Sequence, residues 1–135
     1  MQILQIFWDR RELFITCLLE HIRISLTAVL CAGILGILTG ILISRHKKAA
    51  GVVLGIVNVI YTIPSISLLG FLIPLTGIGN RTAIIALTVY GLLPIVRNTY
   101  TGLTTVDATI LEVAKWLGSD SRQMMFRIRF PLALP

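Results

Sequence analysis

Along the chain, three long apolar runs alternate with short charged segments and are followed by one polar stretch. Residues 24–43 contain no charged side chain. At about 1.5 Å per residue a helix of this length spans ~30 Å, the hydrocarbon thickness of a bilayer. Ala32, Gly36 and Gly40 recur every fourth position and fall on one face. Small residues at that spacing allow a second helix to approach closely, although they are also ordinary membrane glycine usage. Arg45, His46, Lys47 and Lys48 end the run, and residues 49–80 are again uncharged. That stretch is too long for one straight crossing. It holds Pro64 and Pro74 and ends in the turn formers Gly77-Ile78-Gly79-Asn80. The pattern predicts a crossing over about 50–73, kinked or partly unwound near Pro64, because proline removes a donor and clashes with the preceding turn. Broken backbone within a bilayer survives only against protein or a water-filled cavity. Pro64 therefore marks either a pathway lining or a plain kink in a packed bundle.

The third run, 82–96, is short. Its helix is expected to continue through Tyr100, with Arg97 reaching the surface or facing protein. The polar stretch 101–130 predicts two short helices: one over 108–117, capped by Asp107 and ended by Gly118, and one from Ser119 or Asp120 to about Ile128, stopped by Pro131. Ile110, Ala114 and Leu117, with Leu111 beside them, form the expected inward face of the first. Met124, Met125, Phe126 and Ile128 form that of the second. Helices this short need something to pack on. The spacing leaves open whether that is their own bundle or another protein's groove.

Composition excludes the soluble classes. Of the 135 residues, 56% are hydrophobic and 13% charged, and mean hydropathy is +0.89. Soluble domains carry about a quarter charged residues. The net charge of +6 reads as membrane topology rather than nucleic-acid binding, since the bases cluster between apolar runs. Arg45, Lys47, Lys48, Arg97, Lys115, Arg122, Arg127 and Arg129 share one side of a three-crossing chain, against Arg10, Arg11, Arg23 and Arg81 on the other. The positive-inside rule places the first group in the cytoplasm and the N-terminus outside. The charge-interrupted residues 1–20 carry no secretory signal and are expected to lie along the outer interface. Cys17 and Cys31 read as reduced, small hydrophobes. No phosphate-binding loop is present. His21 and His46 are too far apart in sequence to predict a shared metal. No acidic residue lies within a crossing, which argues against a proton relay.

Glu112-Val113-Ala114-Lys115-Trp116-Leu117-Gly118, then nine residues, then Ile128-Arg129-Phe130-Pro131, resembles the E-A-A-x3-G-x9-I-x-L-P loop of permease subunits in bacterial binding-protein-dependent ABC importers. Glu112, Ala114, Gly118, Ile128 and Pro131 match, while Val113 and Phe130 replace an alanine and a leucine. Residues 61–65 and 93–102 resemble the osmoprotectant branch, whose permeases serve glycine betaine, carnitine, choline and related quaternary amines.

The resemblance implies an all-α polytopic helix bundle in the bacterial inner membrane. Residues 1–135 would form one permease domain, C-terminally incomplete, with crossings at about 24–43, 50–73 and 82–100, a cytoplasmic loop over 101–130, and further helices beyond Pro135. It implies that 108–117 is a coupling helix seated in a cytoplasmic ATPase dimer, which binds ATP and Mg while this chain carries no cofactor and is not an enzyme. Glu112, Ala114, Lys115, Trp116, Leu117, Gly118, Ile128 and Pro131 would couple the two. Glu112 would contact the ATPase or hold the loop, against an ordinary solvated charge; Trp116 would anchor the interface, against a membrane-interface tryptophan. The other implied partners are an extracytoplasmic substrate-binding protein, separate or fused, a second permease subunit, identical or a paralogue, and membrane lipid. Because aromatic faces hold quaternary ammonium groups, Tyr61, Tyr90 and the Pro64 break are candidate pathway residues; plain helix packing is the alternative. Alternative functions are import of another small solute such as an amino acid, or an ion-coupled secondary transporter.

Overall fold

The structure, a computed structural model, describes residue 6 and residues 8–133, and these are all-α. Helix α1 (Arg11–Ser44) is a single helix of 34 residues, about 51 Å long at 1.5 Å per residue. The run expected over 24–43 therefore begins thirteen residues earlier. Of residues 1–20, expected along the outer interface, 1–5 and 7 lie outside the described residues, and 11–20 continue the long helix instead of forming a separate segment. The reason is local: no glycine or proline occurs before Gly33, so charged side chains rich in helix formers extend the helix rather than end it.

Helices α2 (Lys47–Thr62) and α3 (Ser65–Thr76) follow. They meet at Ile63-Pro64 with a bend of 95°. The break expected at Pro64 is present, but it is a right-angle corner rather than a kink. Ile63 is extended, with φ −69° and ψ 124°, the conformation a following proline favours. Pro74 lies inside α3 without ending it.

Gly77 (φ 81°) and Gly79 (φ 141°) form the next turn. They take backbone conformations that side-chain-bearing residues rarely adopt. Thr82 Oγ1 donates to the Gly77 carbonyl and lies 2.6 Å from Thr76 Oγ1, so a buried threonine ties the turn to both flanking helices. Helix α4 (Asn80–Thr104) then runs for 25 residues, through Pro94 and four residues past Tyr100.

The core is a seam between α1 and α4. Ala28, Ala32, Gly36, Gly40 and Ile43 are buried on α1, and Thr82, Ala86, Leu93, Val96 and Leu103 on α4. The small-residue stripe read from the sequence lies in this seam. A Cβ at Gly36 would lie 2.6 Å from Ile95 Cγ2, one at Gly40 2.6 Å from Thr99 Cβ and 3.2 Å from the Val96 carbonyl oxygen, and one at Gly91 2.9 Å from Ala32 Cβ. Both helices thus present rows spaced by four, the ridge pattern of close membrane packing.

The pairs 32–91, 36–95 and 40–99 share one sequence offset, so α1 and α4 are parallel. At the far end of the same register, Asn80 Nδ2 donates to Glu20 Oε1 at 2.6 Å. Parallel neighbours cannot be joined by a tight turn. The connecting residues 45–79 must carry the chain back along the length of the pair, and the bent α2–α3 unit does so. Arg11–Ser44 and Asn80–Thr104 are each long and apolar enough to cross a membrane, and the bent pair is a third candidate when taken as one span. The chain is an integral membrane helix bundle.

Candidate functional site

Two places concentrate unusual chemistry. The first is the polar loop after α4. Asp107 Oδ1 accepts the Thr109 backbone N–H at 2.8 Å and caps α5 (Ala108–Trp116). The backbone hydrogen bond from Thr109, and next the one from its side chain, hold the Asp107 carboxyl below its usual value. The helix ends on Leu117 and then on Gly118 at φ 80°. Gly118 N–H donates to the Lys115 carbonyl and Ser119 N–H to the Ala114 carbonyl, both at 3.0 Å. This paired closure needs a left-handed residue, which glycine supplies. Leu117 thus caps the helix instead of extending it.

Asp120 caps the return arm in a reciprocal box with Gln123, whose Oε1 accepts the Asp120 N–H at 3.1 Å. The arm is α6 (Ser121–Gln123), a π-helical turn (Met124–Arg129) and α7 (Phe130–Ala133). Pro131 therefore does not stop the helix, as the sequence suggested. The wider π turn shifts the carbonyl ladder by one position just before the residue that lacks a donor. The arm folds back on the bundle: a Cβ at Gly102 would lie 3.2 Å from Ala133 Cβ, and Met125 is buried.

The faces of these helices differ from those expected. On α5 only Ala114 is buried and Leu111 half-buried, while Ile110 and Leu117 are exposed. Trp116 is 88% and Leu117 81% exposed, and Val113 joins them. Glu112, Lys115 and Trp116 line one shallow hollow on this outer side. In the return arm Met125 is buried, Met124 and Ile128 are half-buried, and Phe126 and Pro131 are exposed. The loop therefore packs one side on its own bundle and presents an apolar, charge-flanked side outward.

Asp107 makes a pH prediction. Its folded-state value is depressed, so the cap's contribution is complete above the ordinary carboxylate range and is lost as pH falls through the lower folded value. Hydrogen-exchange protection of the α5 amides, compared with that in Asp107→Asn, should drop in acid for the native chain only. Equal pH profiles would show that the cap does not hold the helix.

The second place is the α2–α3 break. Tyr90 Oη donates to the Ile63 carbonyl, and the Tyr61 and Tyr90 rings meet edge to face at 5.9 Å and 71°. Tyr90 lies one residue before Gly91, which packs on Ala32. The corner is therefore level with the middle of the 24–43 run. Of the carbonyls ending α2, Val59 is held by Thr62 Oγ1 at 2.6 Å and Ile60 by the Ile63 N–H at 3.2 Å. Tyr61, Thr62 and Pro64 are exposed around them. Negative carbonyl ends and two aromatic rings at mid-depth suit a small organic cation.

The structure brings Tyr61, Pro64 and Tyr90 to one place and Glu112, Lys115 and Trp116 to another. The Glu20–Asn80 hydrogen bond escaped the sequence reading. It joins positions sixty residues apart, and no local signal marks it.

Residues 32–135 match the family model described as the binding-protein-dependent transport system inner membrane component. The chain is 45% identical over 116 residues to the choline transport system permease protein OpuBB of Bacillus subtilis (strain 168), covering 86% of this chain and 54% of that protein. It is 44% identical, with the same coverage, to the glycine betaine/carnitine/choline permease protein OpuCB of the same organism. It is 39% identical over 102 residues to the ergothioneine transport permease/ergothioneine binding protein EgtU of Helicobacter pylori (strain G27), covering 76% of this chain and 18% of that protein. The chain thus spans about half the length of the first two relatives. The match over most of its length and the level of identity establish that the chain belongs to the family of binding-protein-dependent transport system inner membrane components.

Proposed function

We propose that this chain is the membrane-crossing part of an ATP-driven importer for small quaternary amines such as choline, glycine betaine or carnitine. The observation that carries the reading is α5. It is capped at both ends, packs against the π turn of the return arm with Ala114 buried, and exposes Trp116, Leu117 and Val113 beside Glu112 and Lys115. A rigid helix with an unburied aromatic anchor is suited to a groove in another protein. Its occupant would be a cytoplasmic ATPase dimer that binds ATP and Mg, so that this chain needs neither. The end carrying α5 holds eight of the twelve lysines and arginines, which supports the reading that this end faces the cytoplasm and the N-terminus lies outside.

In this reading, closure of the ATPase dimer pulls α5, and Gly118 transmits the movement to the return arm. Ile128 and Pro131 lie on that arm, which rests on α4 at Gly102. Movement of α4 displaces Tyr90 relative to Ile63 and so opens or closes the corner at Pro64. An extracytoplasmic binding protein would deliver the solute, and a second permease subunit would complete the pathway.

Choline, glycine betaine, carnitine and ergothioneine share a trimethylammonium group. Tyr61 and Tyr90 are assigned to hold it in passage. Tyr61→Leu should lower uptake of radiolabelled choline in proteoliposomes by about fivefold, the loss of one cation–π contact of about 1 kcal/mol. Tyr90→Phe removes the hydroxyl that holds the Ile63 carbonyl and should lower uptake with the ring intact. Unchanged uptake in both variants would remove the pathway assignment. The function as a whole is tested by purification and energetics: an ATPase subunit must accompany the permease, and uptake must survive an uncoupler while ATP is maintained. Uptake that stops with the uncoupler would instead indicate an ion-coupled carrier.

A further inference from the structure

At the charged end of the bundle, a cleft of about 440 Å³ opens between the end of α1 and the return arm. Ser44 and Arg45 line one wall; Ser121, Met124, Met125 and Arg129 line the other. Arg129 is half-buried. Neither guanidinium makes an ion pair or hydrogen bond among the described residues. Arg45 is not needed to cap α1: the Ile41 carbonyl is taken by Ser44 Oγ, that of Leu42 by the Arg45 N–H, and that of Ile43 by the His46 N–H.

The charge balance around the cleft is one-sided. Asp107, Glu112 and Asp120 are the acids at this end, against eight lysines and arginines. Asp107 is engaged by Thr109, Asp120 by the Ser121 N–H at 2.6 Å, and Glu112 lies in the outer hollow on α5. Two guanidiniums and a serine hydroxyl without a partner among the described residues thus line one cleft, and each guanidinium offers the planar donor pair that suits a phosphate's oxygens. The apolar run of α1 ends at Ile43, so the cleft sits at the depth of lipid headgroups.

We propose that this cleft binds a phosphate group, held between Arg45 and Arg129 with Ser121 donating to it, and that the source is an anionic phospholipid of the inner leaflet. The bound phosphate clamps the return arm to the end of α1, fixing the base from which α5 projects. The cleft does not depend on the transport reading, and its assignment to the inner leaflet rests on the orientation given above.

The test uses the permease purified from membranes, with whatever subunits accompany it, placed in nanodiscs of mixed phosphatidylglycerol and phosphatidylcholine. Native mass spectrometry then counts the lipids retained. Preferential retention of phosphatidylglycerol is expected, and it should fall about tenfold in Arg45→Gln, an exposed position where folding is not at stake. Arg129→Lys, which keeps the charge and loses the fork, should fall between the two. Arg127→Gln, exposed on the same arm but outside the cleft, should retain lipid as the native chain does. Competition by millimolar inorganic phosphate distinguishes the sources: persistence of the lipid supports a headgroup site, and displacement by free phosphate overturns the assignment to lipid. Equal retention in Arg45→Gln and the native protein overturns the site itself.

Discussion

Replacement of Gly40 by leucine should dismantle the α1–α4 seam. The Cβ alone would lie 2.6 Å from Thr99 Cβ and 3.2 Å from the Val96 carbonyl oxygen. The second contact is backbone and cannot rotate aside. Overpacking a tight interface costs about 1–3 kcal/mol even where side chains can shift, and here the helices must part. The purified permease should show a clear fall in apparent Tm and in yield. Gly36→Ala meets Ile95 Cγ2, which can rotate, and Ile95 Cβ at 2.9 Å, which cannot, with the backbone no nearer than 3.5 Å; adding a single methyl, it should cost less than leucine at Gly40. Gly33→Ala has open space around it and should be neutral or slightly stabilising, since alanine is the better helix former by about 1 kcal/mol. A flat response across the three positions would mean that the seam does not hold the bundle together.

The second large effect is expected at Gly118, through conformation alone. Nothing lies within 4 Å of a Cβ built there, yet its φ is 80°. Valine, β-branched, is strained in that region by more than the roughly 1–2 kcal/mol charged to an ordinary side chain. The closure on Lys115 and Ala114 should open, and α5 should lose its fixed direction. In the importer reading, Gly118→Val lowers ATP-driven uptake by an order of magnitude or more, since about 1.4 kcal/mol corresponds to tenfold. Gly118→Asn, which tolerates the left-handed region, should retain most of it. If valine and asparagine behave alike, the turn is not the element that transmits force. If uptake is normal in both, the coupling role of the loop is wrong.

Much of this architecture is legible in single residues. The small stripe 32–36–40 lies in the tightest contact of the fold, and Pro64, Asp107, Gly118 and Asp120 each mark the local event their chemistry favours. What could not be read was relational. Helix α5 has a wide apolar side, with Ile110, Leu111, Val113, Ala114, Trp116 and Leu117 among its residues and cap. Thr109, Glu112 and Lys115 mark a polar side, but the apolar side is broad and the sequence does not say which part of it meets the return arm. The packing chose Leu111 and Ala114, leaving Ile110 and Leu117 outside. Pro131 gave a misleading stop because the sequence does not reveal a π turn. The charges of residues 9–23 suggested a boundary, but charge alone does not break a helix that lacks glycine and proline.

The like direction of α1 and α4 also sets an order of assembly. Residues that meet in the seam are separated by about sixty positions, and the returning span must be threaded before they can touch. Until α4 has entered the bilayer, the glycine row of α1 faces acyl chains alone. The pairing that holds the bundle is therefore among the last contacts made, at a loop-closure cost that neighbouring hairpins avoid. Lesions in the seam should consequently appear during biogenesis, as chains cleared by quality-control proteases, rather than as mature permeases that transport slowly.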